Sequence, residues 1–360
     1  MITVDNRDTH MNTSPSLNDL ILITGATGFI GTRLLLELLR RGFRNLRCVT
    51  RSSSNAARLE GLTSQYCDAR IDIVKGNLLF PEDCAAVAKD VKIVFHLAAG
   101  RGEKAFADAF MNSVVTTRNL LDALVRQQSV GRFVNISSFA VYSNKQKPRW
   151  HLLDETCPVE PRPESREDAY CFAKAKQDDM VIAYGKRCGL PYVIVRPGYV
   201  YGPGNKGISG RVGINTFGMF VHLGGSSPVP LTYVDNCVDA IVLAGITSQI
   251  VGEVFNIVDD NLPSSRQFLR GYKRNVRQFR SLYVPHVVSY VLCYLWEMYS
   301  RWSRGQLPPA FNRSKWHAYW KPTRYSNDKA KKRLNWMPRI TTTDGLGRYF
   351  ESLRELEGHA

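Results

Sequence analysis

The sequence predicts an α/β fold with a doubly wound parallel sheet and a smaller C-terminal lobe, on three observations. Apolar runs of strand length alternate with stretches of helix length from residue 20 to about residue 200. A glycine-rich turn stands at the first strand-to-helix junction, and beyond Gly202 the alternation weakens into glycine-rich loops, aromatic residues and basic segments. Regular alternation of this kind implies parallel strands joined by helical crossovers.

The elements justify this in order. The apolar run 20–23 ends in the turn, and the leucine-rich stretch 34–39 has the length and composition of a helix. Strands are predicted at 46–50, 71–74 and 91–96, each separated by a helix-length stretch. A helix over 106–128 leads into a strand at 132–136, and a second helix over 168–187 leads into a strand at 192–195. Pro148, Pro158, Pro161 and Pro163 crowd the stretch between them, which reads as a long loop over the sheet edge, where function concentrates. The expected organisation is a disordered tail over 1–18, a dinucleotide-binding domain over 19–201, and over 202–360 mostly a substrate-binding lobe with some segments returning to the sheet.

Composition bounds the function class. Of 360 residues, 44% are hydrophobic and 22% charged, near the averages for globular proteins, which argues against disorder and against an integral membrane protein. The net charge of +16 favours anionic partners such as nucleotide phosphates or acidic membrane surfaces. No nucleic-acid motif accompanies it, so nucleic-acid binding is not expected. The eight cysteines are scattered without a CxxC pair or zinc-type spacing, so no metal site is expected. The first 18 residues lack the apolar run of a secretory signal, and a cytoplasmic enzyme, a homodimer, is expected.

The turn Thr24-Gly25-Ala26-Thr27-Gly28-Phe29-Ile30-Gly31 places glycines where the lack of a side chain lets backbone N–H groups and a helix N-terminus approach a pyrophosphate. The spacing is Gly-x-x-Gly-x-x-Gly. With it the chain resembles the extended short-chain dehydrogenase/reductases, also called the NAD-dependent epimerase/dehydratase family, which have a Rossmann fold. The second strand ends near Arg51, where an acid would accept hydrogen bonds from the adenosine ribose of NAD. Arg51, followed by Ser52 and Ser53, suits the 2′-phosphate of NADP instead, and NADP is the expected cofactor. The resemblance further implies cofactor contacts at Asn77-Leu78, where the family carries an acid before the apolar residue, at Leu97, Ala98 and Ala99 of a His-Leu-Ala-Ala element, and at Pro197 and Val200 of the Arg-Pro stretch.

Tyr170 and Lys174 stand four residues apart, on one face of the predicted helix. A lysine charge beside a phenol favours the phenolate and brings it closer to a useful acid/base. Ser138, which precedes a Val-Tyr pair after the strand at 132–136, resembles the family's catalytic serine, and Asn112 its geometry-stabilising asparagine, with a solvent-facing asparagine the equal alternative. Ser137 is the weaker candidate for the serine, its plainer role being to cap or bond the backbone. His96 is expected to be a packed structural histidine. Ser138, Tyr170 and Lys174 are thus the implied catalytic set, with Tyr170 and Lys174 also touching the cofactor.

The resemblance implies hydride transfer at a secondary alcohol or ketone, most simply of a sugar nucleotide. Phe139-Ala140 occupies the place where the related 4,6-dehydratases carry an acidic pair, which disfavours elimination of water. Alternatives are a 3-beta-hydroxysteroid-dehydrogenase-like enzyme, since the arginine often found before Val234-Asp235 in sugar enzymes is missing, and a non-catalytic NADP-binding regulator. The apolar stretch 287–296, too short to span a bilayer, and flanked by Arg274, Arg277, Arg280, Arg301 and Arg304, suits a peripheral contact with anionic lipid, although a core helix is the plainer reading. Lys329, Lys331, Lys332 and Arg333 read as a solvated helix face.

Overall fold

Each apolar run of the N-terminal half forms a buried strand, and the helices between them cover both faces of the resulting sheet. The computed structural model describes residues 16–100, 105–216, 218–303, 306 and 311–358. Most of the tail expected over 1–18 lies outside these. Leu17 and Asn18 are described, and their carbonyls accept hydrogen bonds from Arg44 N–H at 3.0 Å and Asn45 Nδ2 at 3.2 Å, which ties the chain down before the first strand.

The N-terminal elements are β1 (Ile21–Thr24), α1 (Phe29–Arg40), β2 (Asn45–Thr50), α2 (Ser53–Thr63), β3 (Arg70–Lys75), α3 (Pro81–Ala88), β4 (Ile93–His96), α4 (Phe106–Ala109), α5 (Thr116–Gln127), β5 (Arg132–Ile136), β6 (His151–Leu153), α6 (Ala169–Cys188) and β7 (Tyr192–Pro197). The C-terminal elements are β8 (Tyr199–Tyr201), β9 (Gly213–Thr216), β10 (Met219–His222), β11 (Leu231–Tyr233), α7 (Val234–Ile246), β12 (Val254–Ile257), α8 (Ser265–Asn275), β13 (Ser281–Tyr283), α9 (His286–Trp302), α10 (Arg313–Tyr319), β14 (Thr323–Tyr325), α11 (Asp328–Leu334) and α12 (Thr342–Gly358).

The main sheet has the order β12-β7-β5-β4-β1-β2-β3, parallel throughout. It is a Rossmann sheet, with its order reversing between β1 and β4. Ile21 and Ile23 point into a core shared with Leu34, Leu35 and Leu38 of α1 and Val238 and Ile241 of α7. Leu22 points into the opposite core, with Leu120 and Leu124 of α5 and Val181 of α6. Both faces are covered, so the strands read as unbroken apolar runs. Fully burying one such side chain stabilises the fold by about 1.5–3 kcal/mol.

Within 202–360, β12 joins the edge of the main sheet and α7 packs on α1. α11 packs on β12 and α7, its Ala330 and Leu334 sharing the core of the main sheet. Much of the rest builds a lobe around the sheet β13-β10-β9 and an aromatic core containing Tyr201, Phe220, Tyr233, Phe268, Tyr349 and Phe350.

Three expectations change. The helix over 106–128 is interrupted by a π-helical stretch, Phe110–Val115, between α4 and α5. Its wider turn releases carbonyls that side chains take up: Ser113 O accepts from Thr117 Oγ1 at 2.5 Å and from Gln177 Nε2 at 3.2 Å. The basic face of α11 is more than solvated, because Lys329 pairs with Glu253 at 2.6 Å and Lys331 with Asp260 at 2.7 Å. The reading of 287–296 as a core helix holds for one side of α9 only, since the other side is left uncovered by the described residues.

Candidate active site

A cavity of about 700 Å³ opens at the C-terminal ends of β1, β4 and β5, at the reversal of strand order where open α/β sheets bind ligands. It is lined by every residue that the sequence reading assigned to cofactor or catalysis: Gly25 and Thr27 to Gly31 of the turn, Arg51, Asn77, Leu78, Leu97, Ala98, Ala99, Ser138, Tyr170, Lys174, Pro197 and Val200. Asn112 lines it as well, from the π-helical stretch.

The glycine turn is built for close backbone approach. Gly25 has φ +73°, which L side chains rarely adopt, and a Cβ there would sit 3.0 Å from Ala98 N. A Cβ on Gly31 would lie 2.1 Å from the carbonyl oxygen of Gly25. Gly28 is the N-cap of α1, with no side-chain cap and no acid in the first turn, so the helix end is electropositive towards the cavity. Arg33 braces this region, donating to Pro203 O at 2.6 Å, pairing with Asp235 at 3.3 Å and stacking on Phe29.

Under the cradle, His96 is clamped between Thr24 Oγ1 and Thr117 Oγ1, each at 2.9 Å. Burial, helped by the nearby Lys174 charge, pushes it down to about 3, so it is neutral and structural at any physiological pH.

Beyond β2, Arg51 is exposed on the cavity rim, and Ser52 caps α2 by accepting from Asn55 N–H. The Asn77 side chain is engaged in its own loop, where Oδ1 accepts from Leu79 N–H at 3.2 Å. Asn119 Nδ2 clamps the same loop through the carbonyls of Leu78 at 3.1 Å and Leu79 at 2.9 Å. The described lining contains no Asp or Glu, whereas it contains Arg51, Lys174 and Arg211. A backbone cradle, a bare helix N-terminus and a lining of this sign fit a dinucleotide's phosphates.

At the end of β5 the two serines divide their work. Ser138 is half-buried on the cavity wall, and its Oγ accepts from Ala140 N–H at 3.2 Å. Ser137 corrects the expectation of a backbone role: it is buried and donates to Asp178 Oδ2 at 2.8 Å. Tyr170 lies in the first turn of α6, behind the N-cap Asp168, whose carboxylate accepts from Cys171 N–H. Lys174, one turn on, is buried and donates from Nζ to Ile136 O at 2.7 Å. Burial pushes its ammonium down to about 8, against the opposing pull of Asp178, so it is cationic at neutral pH and loses its charge in mildly alkaline solution.

Several supporting residues escaped the sequence reading. Asp178 follows Lys174 by four residues on the same helix face and binds Arg196 at 3.0 Å, Asn135 Nδ2 at 3.0 Å and Ser137. Arg166, wholly buried in the proline-rich loop, donates to the carbonyls of Ala140 and Tyr142 and so holds the segment that follows Ser138. From the C-terminal lobe, Tyr319 donates to Asp168 Oδ2 at 2.5 Å and lines the cavity. Arg211 stacks on the Tyr319 ring and bonds Ala318 O through Nη1 at 2.8 Å.

The comparisons with known proteins bear on the family and the fold. Residues 21–257 match the model of the NAD dependent epimerase/dehydratase family. A protein described as an uncharacterized UDP-glucose epimerase, YtcB of Bacillus subtilis (strain 168), is 27% identical over 66% of this chain and 76% of its own. Cinnamoyl-CoA reductase 1 of Oryza sativa subsp. japonica is 28% identical over 53% of this chain and 56% of its own. Among solved structures, UDP-glucuronic acid 4-epimerase from Bacillus cereus in complex with NAD superposes with a TM-score of 0.69 and 22% identity, covering 94% of this chain and 99% of that one, which shows the same fold. With its family model matched over the main sheet and the whole of α6, the chain belongs to the NAD-dependent epimerase/dehydratase family of extended short-chain dehydrogenase/reductases.

Proposed function

We propose that the protein binds a nicotinamide dinucleotide along the glycine turn and acts at a secondary alcohol or ketone of a sugar nucleotide, as an epimerase or oxidoreductase. One observation carries the reading: Ser138, Tyr170 and Lys174 share a cavity with the cradle, and its described lining is free of carboxylates. The cradle, Arg51 and the Asn77-Leu78 loop would hold the cofactor, which when bound supplies or accepts the hydride. Tyr170 Oη takes the proton of the substrate hydroxyl during oxidation and returns it during reduction. The Lys174 charge favours the phenolate, and Ser138 Oγ steadies the reacting oxygen. The buried Phe139 and Ala140 beside Ser138 offer no acid for elimination of water.

Arg211 is the candidate grip for the substrate diphosphate in place of the arginine missing before Val234. Its bond to Ala318 uses Nη1, and a guanidinium carries three further N–H donors on its other nitrogens. A basic lobe residue favours a diphosphate substrate over an apolar alcohol. The names of YtcB and of the Bacillus cereus epimerase support the same class. The test is a screen of sugar nucleotides that follows product stereochemistry together with NADPH absorbance, since an epimerase recycles its cofactor and gives no net absorbance change. Arg211→Ala should raise KM for the sugar nucleotide about ten- to hundredfold, the worth of a charge-assisted contact, while cofactor affinity stays unchanged. No turnover of any sugar nucleotide, with turnover of an apolar alcohol, would overturn the substrate class.

The cofactor preference is a finer matter. The family description and the neighbour's bound NAD favour NAD, whereas Arg51 on a carboxylate-free rim supports NADP. We infer NADP, and expect Arg51→Ala to weaken NADP binding about tenfold or more and leave NAD binding as it is. Equal dissociation constants of the parent protein for the two cofactors would refute this.

A further inference from the structure

The C-terminal lobe carries an apolar surface that no part of the proposed reaction uses. On α9, Val287, Val291, Leu292, Leu295, Met298 and Trp302 recur at helical spacing on one side, and all are exposed, Val287 by 67% and Trp302 by 78%. The opposite side packs into the lobe through Ser289 and Cys293, with Trp316 Nε1 of α10 donating to Ser289 Oγ at 2.9 Å. β13, the edge strand that leads into α9, adds the exposed Leu282 and Tyr283. Monomeric proteins rarely leave so continuous an apolar stripe in water unless it meets a partner.

Charge identifies the partner. From Arg274 to Trp302 the basic residues are Arg274, Arg277, Arg280 and Arg301, all exposed, of which Arg277 pairs with Glu357 at 3.2 Å, while the only acid of the stretch is Glu297, which is bound to Arg313 at 2.8 Å. Arg304 lies outside the described residues. The rim of the stripe is therefore basic. Aromatic residues with a polar tip, Tyr294 and Tyr299 with Trp302, stand among the aliphatic ones, a composition suited to the boundary between lipid headgroups and acyl chains. A second copy of the chain across a two-fold axis would set the same basic rim against itself. No helix among the described residues is long and apolar enough to cross a membrane.

We propose that the outer face of α9, with β13, docks the protein on an anionic membrane surface. The helix lies in the plane of the headgroups, its aliphatic and aromatic stripe in the acyl boundary and Arg280 and Arg301 among the lipid phosphates. The site proposed above plays no part in this argument, so either reading can fail alone.

The test is cosedimentation of the full chain with phosphatidylglycerol-containing vesicles and with pure phosphatidylcholine vesicles. Binding to the anionic vesicles alone, weakened by salt, is expected. Arg280→Glu with Arg301→Glu should lower the partition coefficient by about tenfold or more, since each basic residue near an anionic surface contributes on that scale. Leu292→Glu with Leu295→Glu, both at exposed positions and checked for an unchanged melting temperature, should abolish binding. No sedimentation of the parent protein with anionic vesicles, or equal binding by the leucine variant, would overturn the proposal. So would a change of oligomeric state in that variant, which would assign the face to a second copy of the chain.

Discussion

Tyr170→Phe should lower turnover about a hundred- to ten thousand-fold while cofactor affinity stays nearly intact, because in the proposed reaction the lost hydroxyl carries the proton and contributes little to nucleotide binding. Single-turnover hydride transfer at saturating substrate is the measurement, paired with a cofactor dissociation constant. Lys174→Ala should harm both quantities, since its ammonium lies in the cavity with Tyr170 and with the cradle. Ser138→Ala should fall between them if it only orients the reacting oxygen. The parent enzyme adds a pH signature. Lys174 is cationic below about pH 8 and neutral above it, so cofactor affinity should decline as pH rises through that value. In Lys174→Ala this step should vanish. An unchanged rate in Tyr170→Phe would mean that another group carries the proton.

The strands and α6 were legible because their signals are local. Ile21, Leu22 and Ile23 are buried on alternate faces of a sheet covered on both sides, and such burial writes an unbroken apolar run into the chain. The cradle is equally local, since Gly25 takes a positive φ that L side chains rarely adopt and a Cβ on Gly31 would strike the carbonyl of Gly25 six residues back. What escaped was set by distance along the chain. Arg166 meets Ala140 and Tyr142 across more than twenty residues, and Arg211 meets Ala318 across more than a hundred. Neither arginine differs in sequence from a solvated one. The π-helical stretch at Phe110–Val115 also leaves the apolar pattern nearly unchanged, because its signature is which side chains take the released carbonyls. Asp178 carried a local signal that went unread: its spacing from Lys174 places it on the same helix face, but only the fold brings Arg196 to it.

That pair supports the second large effect. Asp178 and Arg196 are 1% and 3% exposed, and the carboxylate also takes hydrogen bonds from Asn135 and Ser137. Burial raises the Asp178 carboxyl, and the adjacent guanidinium opposes this, so the charged form depends on its partner. Asp178→Ala leaves a buried guanidinium without a counter-charge and two donors without an acceptor, and breaking a buried pair in this way costs about 3–5 kcal/mol. A lower denaturant midpoint at an unchanged slope is the expected reading. Arg196 also lies over the Tyr142 ring, 4.8 Å from its centre, so apolar side chains of similar length can fill the space of both partners. Asp178→Leu combined with Arg196→Met should therefore cost less than Asp178→Ala alone, because it removes both charges together. The double variant should nevertheless lose activity, since Lys174, deprived of the Asp178 charge that favours its ammonium, would titrate still lower and hold less of its charge in the cavity it shares with Tyr170. A double variant as unstable as the single one would mean that the hydrogen bonds of Asn135 and Ser137 to Asp178, rather than its pairing with Arg196, hold the end of β5 in place.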